Sequence, residues 1–239
     1  MDMERPNPNR SETDRQPSVL ERDLAQLRRR VVREATMTID MLEMAIRGLW
    51  SLDSDLAAEV RRGEARIDLE EVAIEQECLR LMALRQPFGT DFRTLAFCLK
   101  VNEDLERVAD HASSISKITL RMLKDGLSPK WPEALVELGE RVPVFSHRLL
   151  RAVLDVDEAA AREIVSSDKI IDSLDHRLFQ ELTDGIEDGT WHPESGLLLY
   201  RVGRELERVG DLMANIAEDV VYLTTGEIIR HTKKKPAAG

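Results

Sequence analysis

Four acidic pairs are the residues of this chain best placed to do chemistry: Glu64/Asp68, Glu106/Asp110, Asp168/Asp172 and Glu207/Asp211. Each has i,i+4 spacing, which on a helix brings both carboxylates to one face with Cβ atoms about 5–6 Å apart. Like charges so close need an offset from solvent, an arginine or a cation. Mg²⁺, Mn²⁺, Ca²⁺ and iron are hard ions that accept carboxylate oxygens. Spacing alone decides little, because 45 acidic residues in 239 give about eight or nine such pairs by chance. Placement decides more. Leu105-Glu106-Arg107-Val108-Ala109-Asp110 returns 101 residues later as Leu206-Glu207-Arg208-Val209-Gly210-Asp211, and Glu64, Ile67 and Asp68 face Asp168, Ile171 and Asp172 at an offset of 104.

Around these pairs, Asn102 and Ser114 extend the Glu106/Asp110 stripe by a turn each way, and Gly203 and Asn215 do the same for Glu207/Asp211. The small Gly203 is expected to leave room for a cation, and Asn215 to add a neutral oxygen ligand. Other chemistry is poorly represented. None of the histidines follows a Glu by three residues, so the Glu-x-x-His element of di-iron bundles is missing. There is no HExxH, GxxxxGK[ST] or GxGxxG. His111 reads as a rim histidine, and Arg107 and Arg208 as members of ion pairs. Cys78 and Cys98 are too few for a disulfide framework and read as small core hydrophobes.

The elements that must hold these residues are helices. Amphipathic stretches run over about 19–50, 64–85, 90–124, 132–154, 168–186 and 194–223, with short helices expected near 56–61 and 157–165. Asp53 and its neighbours offer N-caps for the first short helix, Thr90 or Asp91 for the third long one, and Pro143 is expected to kink its helix. The duplicated hexapeptide carries its apolar stripe with it. Phe97, Val101, Leu105, Val108, Ala112 and Ile115 match Leu198, Val202, Leu206, Val209, Met213 and Ile216, each set on one helix face. The fold expected is all-α, with two pseudo-symmetric three-helix bundles over 19–127 and 128–226. They are flanked by a disordered arm over 1–18 and a basic tail over 227–239.

Composition sets the outer limits. The formal charge is -11 and aromatics are 4% of the chain, which argues against nucleic-acid binding and against a strand-rich fold. The polar N-terminus lacks an apolar signal core, and no apolar run nears a membrane span, so a cytoplasmic protein is expected.

The chain resembles the PhoU family of phosphate-signalling regulators over about 19–226. The likeness rests on Glu64-x-x-Ile67-Asp68, then Gln86-Pro87 with Asp91-Phe92-Arg93 ahead of Leu105–Asp110, then Asp168-x-x-x-Asp172 and Leu206–Asp211 with Asn215. It implies two three-helix bundles, a homodimer, and metal ions (iron, zinc, manganese or magnesium) on the acidic faces. Glu64, Asp68, Glu106 and Asp110 would build one site; Asp168, Asp172, Glu207, Asp211 and Asn215 would build the other. It also implies a cytoplasmic, non-enzymatic negative regulator of phosphate uptake and of the phosphate-starvation response. Its partners would be the ATPase subunit of the phosphate ABC transporter and a sensor histidine kinase, with the membrane reached only through them. Ala109 and Ser114 depart from the family's Gly and Asn, which weakens the first site. A metal-free helical adaptor and a carboxylate-metal enzyme are the alternatives.

Overall fold

In a computed structural model, residues 18–229 are described, and they form six helices with no strand among them. These are α1 (Val19–Ser51), α2 (Ser54–Arg85), α3 (Thr90–Lys124), α4 (Glu133–Asp155), α5 (Glu158–Glu187) and α6 (Pro193–Thr225). Helices α1–α3 pack on one another, as do α4–α6, and the two bundles meet through α3 against α6 and α1 against α4. Both duplicated apolar stripes are buried along their whole length, so the spacing read from the sequence faces the core as expected. Cys78 and Cys98 are buried and unpaired, and burial pushes both thiols up to about 12.

Several boundaries differ from the sequence reading. The two short helices are the first turns of α2 and α5, which run unbroken. Gly63 lies between the segments expected to be separate. A Cβ there would meet the Met41 sulfur at 3.0 Å, so this glycine allows close packing on α1 and does not end the helix. In α5, the Ser166 and Ser167 hydroxyls donate to carbonyls one turn back, at 2.8 Å and 2.7 Å from Glu163 O, and so stay within the helix. Helix α3 starts from Gly89, at φ 59°, without the side-chain cap expected from Thr90 or Asp91. Ser18, placed in the arm, is the N-cap of α1 and forms a capping box with Glu21. Pro143 lies inside α4. The rest of the expected arm, and the tail beyond Ile229, fall outside the described residues.

Polar pairs fix how α3 meets α6. Lys100 Nζ lies 2.8 Å from Asp219 Oδ1, His111 Nδ1 2.6 Å from Glu205 Oε2, and Arg121 Nη2 3.0 Å from Glu194 Oε1. Numbers rise along one helix as they fall along the other, so the two run antiparallel. His147 Nε2, 2.8 Å from Glu43 Oε1, joins α4 to α1. No described helix is long and apolar enough to cross a membrane.

Candidate metal-binding faces

Because α3 and α6 cross antiparallel, the middles of the two hexapeptides come together at the seam between the bundles. A cleft of about 420 Å³ lies there, lined by Arg107, Asp110, His111, Arg208, Asp211, Leu212 and Asn215. It takes one arginine and one carboxylate from each copy of the repeat. Arg107 lies 3.6 Å from Asp104, the ion pair expected of it. Arg208 makes no ion pair among the described residues, against expectation. His111 is partly buried against Glu205 and serves as a strut between the bundles.

The second acidic face is the better formed. Asp168 and Asp172 stand on α5 and Asp211 on α6, and one oxygen from each falls within 4.8 Å of the other two. This is the one such trio of metal-competent groups found among the described residues. Partial desolvation, and then the charges of Glu207, Asp168 and Asp172, push Asp211 up to about 6. Glu207 is not one of the three, although its charge acts on Asp211 more strongly than that of Asp168 or Asp172. Its Oε1 lies 3.0 Å from Arg204 Nη1, which also reaches Asp175 Oδ2 at 3.1 Å, and its Oε2 is buried without a hydrogen bond. Asn215 lies in the neighbouring cleft beside Asp211. The room expected beside Gly203 is taken, since a Cβ there would come within 2.1 Å of Leu178 Cδ2. That glycine admits a leucine, not a cation.

The first face gathers its four carboxylates more loosely. Burial and then the charges of Glu64 and Asp68 raise Asp110; burial, then Asp110, Asp68 and Glu71, raise Glu106. All four expected groups therefore lie near one another. Glu64, however, accepts from Ser113 Oγ at 2.6 Å and lies 3.7 Å from Lys117 Nζ, so protein groups already engage it. Next to Glu106, the sequence reading missed Glu34 on α1. It is fully buried, and burial followed by the charges of Glu70 and Glu71 pushes it up to about 8. Arg204 was missed as well, though its place three residues before Glu207 was a readable ion-pair spacing.

The donor set fits a hard cation. It consists of carboxylate oxygens, crowded enough to raise the pKa of Asp211, with a buried Glu207 oxygen left unbonded beside the trio. Two such faces on a duplicated six-helix scaffold define an all-α protein of internally repeated three-helix bundles. Known proteins give this class a name. The PhoU domain model matches residues 31–119 and again 135–220. A phosphate-specific transport system accessory protein PhoU homolog from a Burkholderia species is 33% identical over 196 residues, covering 81% of this chain and 83% of that protein. The phosphate-specific transport system accessory protein PhoU of Escherichia coli K12 is 32% identical over 212 residues, covering 87% and 86%. The crystal structure of PhoU from Pseudomonas aeruginosa superposes with a TM-score of 0.82 at 29% identity, over 86% of this chain and 99% of that one. The Streptococcus pneumoniae phosphate transport system regulatory protein PhoU gives 0.80 at 28%, over 88% and 99%. This chain belongs to the PhoU family.

Proposed function

We propose that this chain is an accessory regulator of phosphate transport, non-enzymatic and cytoplasmic, that carries hard metal ions on its acidic helix faces. The observation that carries the metal reading is the convergence of Asp168, Asp172 and Asp211 within 4.8 Å. These three would hold the ion, with Glu207 and Asn215 nearby, and the ion would supply positive charge at an otherwise repulsive face. Glu64, Asp68, Glu106 and Asp110 would hold a second, weaker site. The family resemblance extends the choice to iron, zinc, manganese or magnesium, and the all-carboxylate donor set favours the harder ions among them.

The names of the relatives support a role beside a phosphate transporter. On the family's pattern, the chain restrains uptake and the starvation response as a homodimer, by contacting the transporter's ATPase subunit and a sensor histidine kinase. A pulldown from phosphate-replete cells tests this: recovery of either partner supports the reading, and a clean absence of both contradicts it. One observation favours a metal-free adaptor as the second reading. Arg204, set between Asp175 and Glu207, already brings positive charge to the second face.

A further inference from the structure

The first bundle holds a group of buried polar atoms that packing does not explain. Glu34 on α1 is 0% exposed, and neither carboxylate oxygen has a hydrogen bond. One turn on, Thr38 is equally buried and its hydroxyl is unpartnered. On α3, Asn102 is 1% exposed; its Nδ2 donates to the Glu71 carbonyl at 3.0 Å, while its Oδ1 has no partner. Glu34 and Asn102 both lie near Glu71, whose charge acts on the first and whose carbonyl accepts from the second, and Thr38 stands one turn along α1 from Glu34. Asn102 stands one turn before Glu106, and the charged groups facing Glu34 are Arg30 on α1, Glu70 and Glu71 on α2, and Glu106 on α3. Polar atoms buried without partners cost free energy unless a ligand completes them.

The duplication supplies an internal control. At the offsets that align the halves, Glu34 corresponds to Leu138, Thr38 to Val142 and Asn102 to Gly203. Leu138 and Val142 are fully buried, and Leu178 fills the space over Gly203. The same place in the second bundle is thus closed by hydrocarbon, with valine standing where the nearly isosteric threonine stands in the first. The scaffold does not require polarity there. What the first bundle offers is a set of hard oxygens, two from Glu34, one from Asn102 and one from Thr38, with the charges of Glu71 and Glu106 acting on Glu34. Oxygen sets of this kind suit a divalent cation of the Mg²⁺ or Mn²⁺ type.

We propose that Glu34, Thr38 and Asn102 form an interior divalent-cation site that only the first bundle possesses. It adds α1 to the helices that supply ligands, and it stands independently of the Asp168/Asp172/Asp211 face. The two share only the premise that carboxylates here hold cations.

Mn²⁺ titration of the chelator-stripped full chain, with bound metal counted after desalting, tests the proposal. Glu34→Gln keeps the shape and removes the charge. Glu34→Leu copies the packing of Leu138 and keeps the variant set foldable, with helicity checked by circular dichroism. Asp211→Asn reports on the other face. The proposal expects both Glu34 variants to lose about one equivalent of Mn²⁺ and part of the Mn²⁺-induced rise in Tm, whatever Asp211→Asn does. Unchanged Mn²⁺ binding in both Glu34 variants overturns it and leaves Glu34 as a buried protonated acid; if Asp211→Asn then loses metal, the reading of the second face survives alone. Loss in the Glu34 variants but not in Asp211→Asn supports the interior site and removes the other. No Mn²⁺ on the wild type overturns the interior site.

Discussion

Lys100 Nζ lies 2.8 Å from Asp219 Oδ1, and the two residues stand on opposite bundles, with the Asp219 side chain only 2% exposed. The ammonium also lies 5.5 Å from the centre of the Tyr222 ring. The pair thus fixes the register of α3 on α6, and with it the approach of the two repeated acidic motifs.

Replacing Lys100 with Met leaves the buried Asp219 without this cation. Because the lysine side chain is itself 43% exposed, solvent limits the loss, and the expected destabilisation is about 1–2 kcal/mol. Asp219→Asn should cost less than Lys100→Met, since it removes the buried charge together with the pair. Urea midpoints measured in chelator check this order, and an unchanged midpoint for Lys100→Met contradicts it.

Arg204 is expected to act as a resident countercharge. Arg204→Gln should lower the stability of the metal-free chain by about 1 kcal/mol, discounted for its partial exposure. It should also steepen the gain from added Mn²⁺, because Glu207 is released towards the trio. Melting curves with and without Mn²⁺ read both effects. An equal Mn²⁺ gain in variant and wild type counts against Glu207 being held back by Arg204.

The pH dependence has a definite sign. Asp211 is raised from 3.8 to about 6 and Glu34 from 4.5 to about 8, so the folded chain binds more protons than the unfolded one in between. Their contribution to stability is complete below about pH 4 and is lost as pH rises through about 6 and then about 8. The melting temperature in chelator should fall across that range. Glu34→Gln should flatten the upper part of the fall and leave the lower part. A Tm that rises from pH 6 to pH 8.5 goes against these assignments.

A packing prediction needs no ligand. A Cβ on Gly185 would lie 2.2 Å from the Trp191 ring, which is held by its Nε1 donating to Lys130 O at 2.7 Å. A pinned ring has little room to yield, so Gly185→Ala is expected to cost about 1–3 kcal/mol. Chemical denaturation reads it directly.

The periodic and repeated features were legible in the sequence. The Phe97–Ile115 and Leu198–Ile216 stripes, the six long helices and the pairing of the acidic motifs all follow from spacing, which one face of a helix translates into burial. What escaped depends on partners far away in the chain. Gly63 reads as a break until Met41 is packed over it, and Gly203 reads as a vacancy until Leu178 fills it. Glu34 is one acid among 45 until burial singles it out. Glu207 shares the spacing of the other acidic pairs, yet Arg204, one turn back, turns its carboxylate aside from the trio.

Asp168, Asp172 and Asp211 converge closely enough to hold a metal ion between them. Metal analysis of the full chain purified without chelator, beside an Asp168→Asn/Asp211→Asn variant of equal helicity, tests it most directly. Bound metal is expected on the wild type, and at least about one equivalent less on the variant. Equal metal content in the two proteins would contradict it.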